Sequence, residues 1–202
     1  MTITSTLYSL PRIAGRRIGL FGGSFNPAHA GHVAVSEEAL KRLQLDEVWW
    51  LVSPQNPLKN AADTADFQLR VAHARKLATH PRMHVSDLEA GLGTRTTAQT
   101  FAALKPMFDL GNFVWIMGAD SFAGLHLWND WREIPATLPL AVFARPGWSL
   151  KALGSPAAHV MQRYRIDSAD AARLADLQAP AWAFLNMPLR HESSTALRAN
   201  GS

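Results

Sequence analysis

The chain has 202 residues, 48% of them apolar and 18% charged, with a formal net charge of +4 and no cysteine. That length suits one domain with a sizeable core, and the lack of cysteine excludes disulfides, thiolate metal ligands and thiol nucleophiles. The basic residues are scattered, with no run longer than Arg16-Arg17, so a small polyanionic substrate accounts for them without nucleic acid, and no apolar stretch approaches the ~20 residues that cross a bilayer.

Residues 1–16 read as a loose basic leader and 17–202 as a single domain. An apolar run at 18–21 suits a buried strand, Gly22-Gly23 then breaks it, Pro27 sits in the turn, and 33–40 has helical spacing. His29 and His32 lie three apart at the helix start, which puts both on one face. Glycines let backbone N–H groups approach a ligand, unpaired amides at a helix start attract anions, and imidazoles can donate to phosphate oxygens. Gly31 costs roughly 1 kcal/mol against alanine in a helix, and a close ligand approach explains its presence. The stretch reads as a polyphosphate site. Neither G-x-G-x-x-G nor G-x-x-x-x-G-K-[ST] occurs, which excludes those two nucleotide cradles.

A second strand is expected at 48–52, a polar loop at 54–66, a helix at 68–77 and a third strand at 83–85. A helix at 97–108 leads to a fourth strand at 113–117. A fifth strand follows at 138–143, helical stretches at 157–164 and 168–177, and a sixth strand at 182–185. This alternation predicts an α/β fold, doubly wound, with a mainly parallel sheet and helices on both faces. Ligands of such sheets bind at the carboxyl ends of strands near the topological switch point. The polar clusters GGSFNP, SPQNPLK, GADS and ARPG each follow a predicted strand.

The string G-G-S-F-N-P-A-H-A-G-H at 22–32 resembles the H-x-G-H signature of the nucleotidylyltransferase superfamily, and G-G-S-F-N-P-x-H is similar to its nicotinate-mononucleotide adenylyltransferase branch. Further clusters resemble that branch in order. S-P-Q-N-P-L-K (53–59) is similar to P-x-N-P-x-H-K, with Leu58 for histidine. R-T-T-A-Q-T (95–100) is similar to Y-T-x-x-T, with Thr96 for tyrosine. G-A-D-S (118–121) is similar to G-x-D-S, and R-P-G stands at 145–147. E-S-S-T-A-L-R (192–198) is similar to I-S-S-T-x-x-R, with Glu192 for isoleucine and a chain that stops soon after.

The resemblance implies a Rossmann-like nucleotidylyltransferase that moves the adenylyl group of ATP to nicotinate mononucleotide. It implies catalytic roles for His29, His32 and Arg198. ATP would meet Gly22, Gly23, Ser24, Phe25, Gly118, Asp120, Ser121, Ser193, Ser194 and Thr195. Nicotinate mononucleotide would meet Asn56, Lys59, Thr97, Trp128, Asn129 and Arg145, with Trp128 stacking on the pyridine ring. Magnesium would be held mainly by substrate phosphates, since one carboxylate makes a poor site for it. The expected partners are these small molecules, without nucleic acid or membrane, in the cytoplasm. Three alternatives stand beside this one. They are a sister enzyme using nicotinamide mononucleotide, phosphopantetheine or a cytidine nucleotide, a non-catalytic nucleotide-binding regulator, and a nucleic-acid module.

Overall fold

Strand β1 (Arg17–Gly23) is apolar enough to be buried from both sides, and it lies in the interior of the sheet. A computed structural model describes residues 13–54 and 65–188. Around β1 run β2 (Glu47–Val52), β3 (Met83–Ser86), β4 (Asn112–Gly118), β5 (Leu140–Phe143) and β6 (Trp182–Leu185), in the order β3-β2-β1-β4-β5-β6. Every pairing is parallel, with Leu20 opposite Trp49 on one side and Trp115 on the other. Parallel strands need crossovers, and these supply the helices. From β1 the chain winds outward to β3 and then returns to β4 and winds the other way. The switch point therefore lies between the carboxyl ends of β1 and β4.

Alternation along the strands divides the core between the two faces. Leu20, Trp49, Trp115, Leu140 and Trp182 face α3 (Leu88–Leu92), α4 (Thr97–Phe108), α5 (Ala119–Ala123) and α6 (Glu133–Thr137). Phe21, Trp50, Ile116 and Phe143 face α1 (Ala30–Arg42), α2 (Phe67–Leu77) and the 3-10 segment Ser168–Asp176. Two further short helices, α7 (Ser149–Leu153) and α8 (Pro156–Val160), complete the first face. The doubly wound sheet expected from the sequence is the one observed.

Several boundaries differ from those expected. Gly22 and Gly23 do not break β1; they are its last two residues, opposite Leu51 and Val52. Gly22 is glycine because a Cβ there would lie 2.1 Å from the ring of Trp115. Strand β5 starts at Leu140 rather than 138, because Pro139 precedes it and its carbonyl instead accepts from Trp115 N–H at 2.9 Å. The helical stretch at 157–164 is α8 followed by a 3-10 turn, and that at 168–177 is 3-10 throughout. Residues 13–16, the end of the predicted leader, form a turn whose Gly15 N–H donates to the Leu110 carbonyl. Glu47 gathers Arg16, the Trp49 indole and His84 at the start of β2, which anchors that turn to the sheet.

Candidate active site

The turn from β1 into α1 sets the chemistry. Phe25 adopts a positive φ of 44°, uncommon for a bulky residue, and its ring stacks on Trp50 at 4.9 Å and 10°. Its side chain is therefore core, whatever its main chain does. His29 caps α1: its Nδ1 accepts from the Gly31 amide at 3.1 Å. His32 reaches back so that its own Nδ1 accepts from the His29 amide, also at 3.1 Å. This is a capping box made of two imidazoles in place of a hydroxyl and a carboxylate.

Two consequences follow. The helix-start amides of His29 and Gly31, expected to be open to an anion, are engaged by imidazole nitrogens. An amide can only donate, so Nδ1 of each ring is an acceptor and the proton of the neutral ring sits on Nε2. The ring centroids are 3.9 Å apart. The pair thus sits at the positive end of α1. Burial, then the neighbouring His29 and the Arg145 guanidinium, hold His32 well below the ordinary histidine range, which keeps the ring neutral before any anion arrives.

The two rings line a cavity of about 530 Å³ at the switch point. It also takes in Gly22, Gly23, Ser24, Phe25, Thr97, Gly118, Asp120, Ser121, Trp128, Asn129 and Arg145, so every predicted site residue that the structure describes is on its wall. Asn56, Lys59, Ser193, Ser194, Thr195 and Arg198 lie outside the described residues. A Cβ at Gly118 would sit 2.3 Å from an Asp120 carboxylate oxygen, so a larger residue there would have to turn that side chain aside. That carboxylate faces Arg145 Nε at 3.8 Å. Arg145 Nε and the indole Nε1 of Trp115 are buried donors with no hydrogen-bond partner among the described residues. Thr97 opens α4, whose cap is Thr96: its hydroxyl accepts from the Gln99 amide at 3.2 Å.

Sequence reasoning missed Trp115, Glu89, Arg95 and Trp148 as wall residues. Trp115 reads as an ordinary strand residue, and only the sheet register brings it beneath Gly22. Glu89 is buried on α3, and burial raises its carboxyl above the usual range. Among the described residues no cluster of three or more His, Asp or Glu side chains could hold a metal ion.

Residues 20–200 match the model of the cytidylyltransferase-like family. A probable nicotinate-nucleotide adenylyltransferase of Ruegeria pomeroyi is 53% identical over 93% of this chain and 87% of its own length. The chain belongs to this adenylyltransferase family. A second relative carrying the same description, from Parvibaculum lavamentivorans, is 52% identical over 93% of both chains. The fold matches the solved Plasmodium falciparum nicotinic acid mononucleotide adenylyltransferase complexed with NaAD, with a TM-score of 0.68 over 91% of this chain and 83% of that one. At 15% identity that likeness speaks for the fold. No helix among the described residues is long and apolar enough to cross a membrane.

Proposed function

We propose that the chain joins ATP and nicotinate mononucleotide into nicotinate adenine dinucleotide, releasing pyrophosphate. The observation that carries this reading is the pair of imidazoles, Nδ1 of each accepting from a backbone amide, on the wall of a cavity that Arg145 also lines. A phosphate oxygen of the mononucleotide attacks the α-phosphorus of ATP, and the bond from that phosphorus to the β-bridging oxygen breaks. The nucleophile is already an anion near neutral pH, so no general base is required. The work left for the protein is alignment and stabilisation of charge on the transferring group.

His32 serves the α-phosphate, while His29 and Arg198 serve the β- and γ-phosphates. Gly23 and Ser24 bring main chain to the triphosphate, Gly118, Asp120 and Ser121 meet the nucleoside, and Ser193, Ser194 and Thr195 form a second cradle. On the acceptor side Trp128 stacks on the pyridine, Thr97 and Asn129 offer main-chain donors to its carboxylate, and Arg145, Asn56 and Lys59 meet phosphate or ribose. The described donor set forms no metal cage of its own. Magnesium therefore fits as part of the metal–ATP substrate, where it neutralises phosphate charge.

Pyrophosphate release from ATP, measured against nicotinate mononucleotide, nicotinamide mononucleotide and phosphopantetheine, tests the reading. Release is expected with the first at the highest kcat/KM. Equal rates with the amide would remove carboxylate recognition, and release only with phosphopantetheine would overturn the assignment.

A further inference from the structure

The turn after β1 is held by a residue that is not itself on the cavity wall. Arg70 of α2 is 3% exposed, and it lies outside the cavity that Ser24, Phe25 and Ser53 line. Its guanidinium is spent on main-chain carbonyls from three places in the chain. Nη1 donates to Ser24 at 2.5 Å and to Ser53 at 2.8 Å, Nη2 donates to Pro54 at 2.7 Å, and Nε donates to Ala65 at 3.0 Å. The Phe67 ring lies 5.4 Å from Cζ and covers part of the group. Among the described residues no carboxylate comes within ion-pair distance of it. The neighbouring Asp66 accepts instead from the Gln68 and Leu69 amides at the start of α2.

Burying an arginine without an ion pair is costly, and the need of buried carbonyls for donors accounts for Ser53 and Pro54. The bond to Ser24 has a further effect. Its carbonyl shares a peptide with the Phe25 N–H, and that peptide is trans, so the two groups point opposite ways. With the carbonyl drawn to Arg70, the N–H points away from Arg70. The dihedral that follows is the Phe25 φ of 44°, which a bulky residue disfavours. Half a turn of the Ser24–Phe25 peptide, with both flanking Cα atoms left where they are, would carry that φ into the ordinary negative range. In that alternative the carbonyl and the N–H trade sides. The hydrogen bond from Arg70 opposes it.

We infer that Arg70 is a positioning residue for the adenylyl transfer: by holding the Ser24 carbonyl it fixes which edge of the Ser24–Phe25 peptide the triphosphate meets, presenting the N–H in place of the carbonyl oxygen. The inference rests on the reading of the cavity as an ATP site. Arg70 itself touches no substrate. A main-chain N–H donates to a phosphate oxygen, and bonds of this charge-assisted kind are strong, whereas a carbonyl oxygen in its place repels the anion. Loss of the guanidinium should therefore weaken ATP and leave the acceptor nearly unaffected.

The experiment compares wild-type protein, Arg70→Met and Arg70→Lys, by calorimetric titration with ATP alone and by steady-state kinetics with ATP and nicotinate mononucleotide. Thermal melts first set an assay temperature at which every variant is folded, so that lost stability by itself changes neither readout. Arg70→Met should bind ATP about tenfold more weakly or worse, the order of one lost charge-assisted bond. Its KM for ATP should rise in step, with KM for the mononucleotide within about threefold of wild type. Arg70→Lys keeps the charge but brings one nitrogen to carbonyls that Arg70 meets with three, so it should stay at least about fivefold weaker than wild type. A crystal structure of Arg70→Met should show the Ser24 carbonyl turned from its present direction. Unchanged ATP affinity in folded Arg70→Met, an equal rise in both KM values, full recovery in Arg70→Lys, or a carbonyl that keeps its direction would each overturn the inference. Should Arg70→Met fail to fold, the ATP affinity of Arg70→Lys decides by the same margins. A wild-type protein that binds ATP but is inactive on nicotinate mononucleotide would instead sink the functional reading and leave the ATP comparison standing.

Discussion

At the scale of single residues, the site depends on which imidazole nitrogen is engaged. A histidine at a helix start can bind an anion through either nitrogen, but here Nδ1 of both rings accepts from a backbone amide, so donation to an anion would come from Nε2. Asparagine can place its side-chain oxygen where Nδ1 sits, so His32→Asn keeps the bond from the His29 amide and loses the outward donor. Its kcat should fall by about a hundredfold or more, the order seen when one transition-state donor is removed. Steady-state kinetics on folded variant protein check this. Turnover near that of wild type would move the charge-stabilising role away from His32.

At the scale of elements, the two glycines that end β1 have different reasons. A methyl at Gly22 would meet the Trp115 ring at 2.1 Å, whereas one at Gly23 would meet only the Phe25 ring, at an ordinary 3.4 Å. Gly22→Ala should therefore cost about 1–3 kcal/mol through overpacking, which for a chain of this size lowers Tm by several degrees. Gly23→Ala should leave Tm nearly unchanged, since the fold has room for the methyl, and should raise KM for ATP if the triphosphate lies against Gly23 as proposed. Thermal melts beside ATP kinetics separate the two, and a reversed pattern would exchange their roles.

The same pair shows what was legible from sequence. Strand, glycines, helix and paired histidines all stand in one local string, so these residues of the cavity wall could be picked out directly. That Gly22 answers to a tryptophan on a neighbouring strand could not, because the contact spans some ninety residues and depends on sheet register. The same applies to Glu89 and Arg70, whose partners lie on other elements. The 3-10 character of 168–176 was equally hidden, since a run rich in alanine reads as an α-helix by propensity alone. The helix-start amides misled as well: the string showed where they are but not that the imidazoles engage them.

At the scale of the whole molecule, burying a neutral His32 must appear in stability as a function of pH. The unfolded chain protonates this ring near pH 6.5, while burial, His29 and Arg145 depress it in the folded state. Below about pH 6.5 the unfolded state therefore binds more protons, and the stability that neutral His32 gives above that pH drains away as the pH falls toward the folded value. Glu89 acts in the opposite sense. Its folded carboxyl is raised by burial, so its contribution is present at low pH and lost as pH rises through that value. The wild-type melting curve sums these two with every exposed histidine, and its raw slope identifies none of them. Subtracting the curve of His32→Asn cancels everything but the one ring. Between pH 7.5 and 5.5 the wild-type Tm should drop further than that of the variant, with the gap opening below about pH 6.5. Parallel curves across that window would mean that His32 enters and leaves the fold with the same affinity for a proton, and that the neutral donor assigned to it is not imposed by the protein.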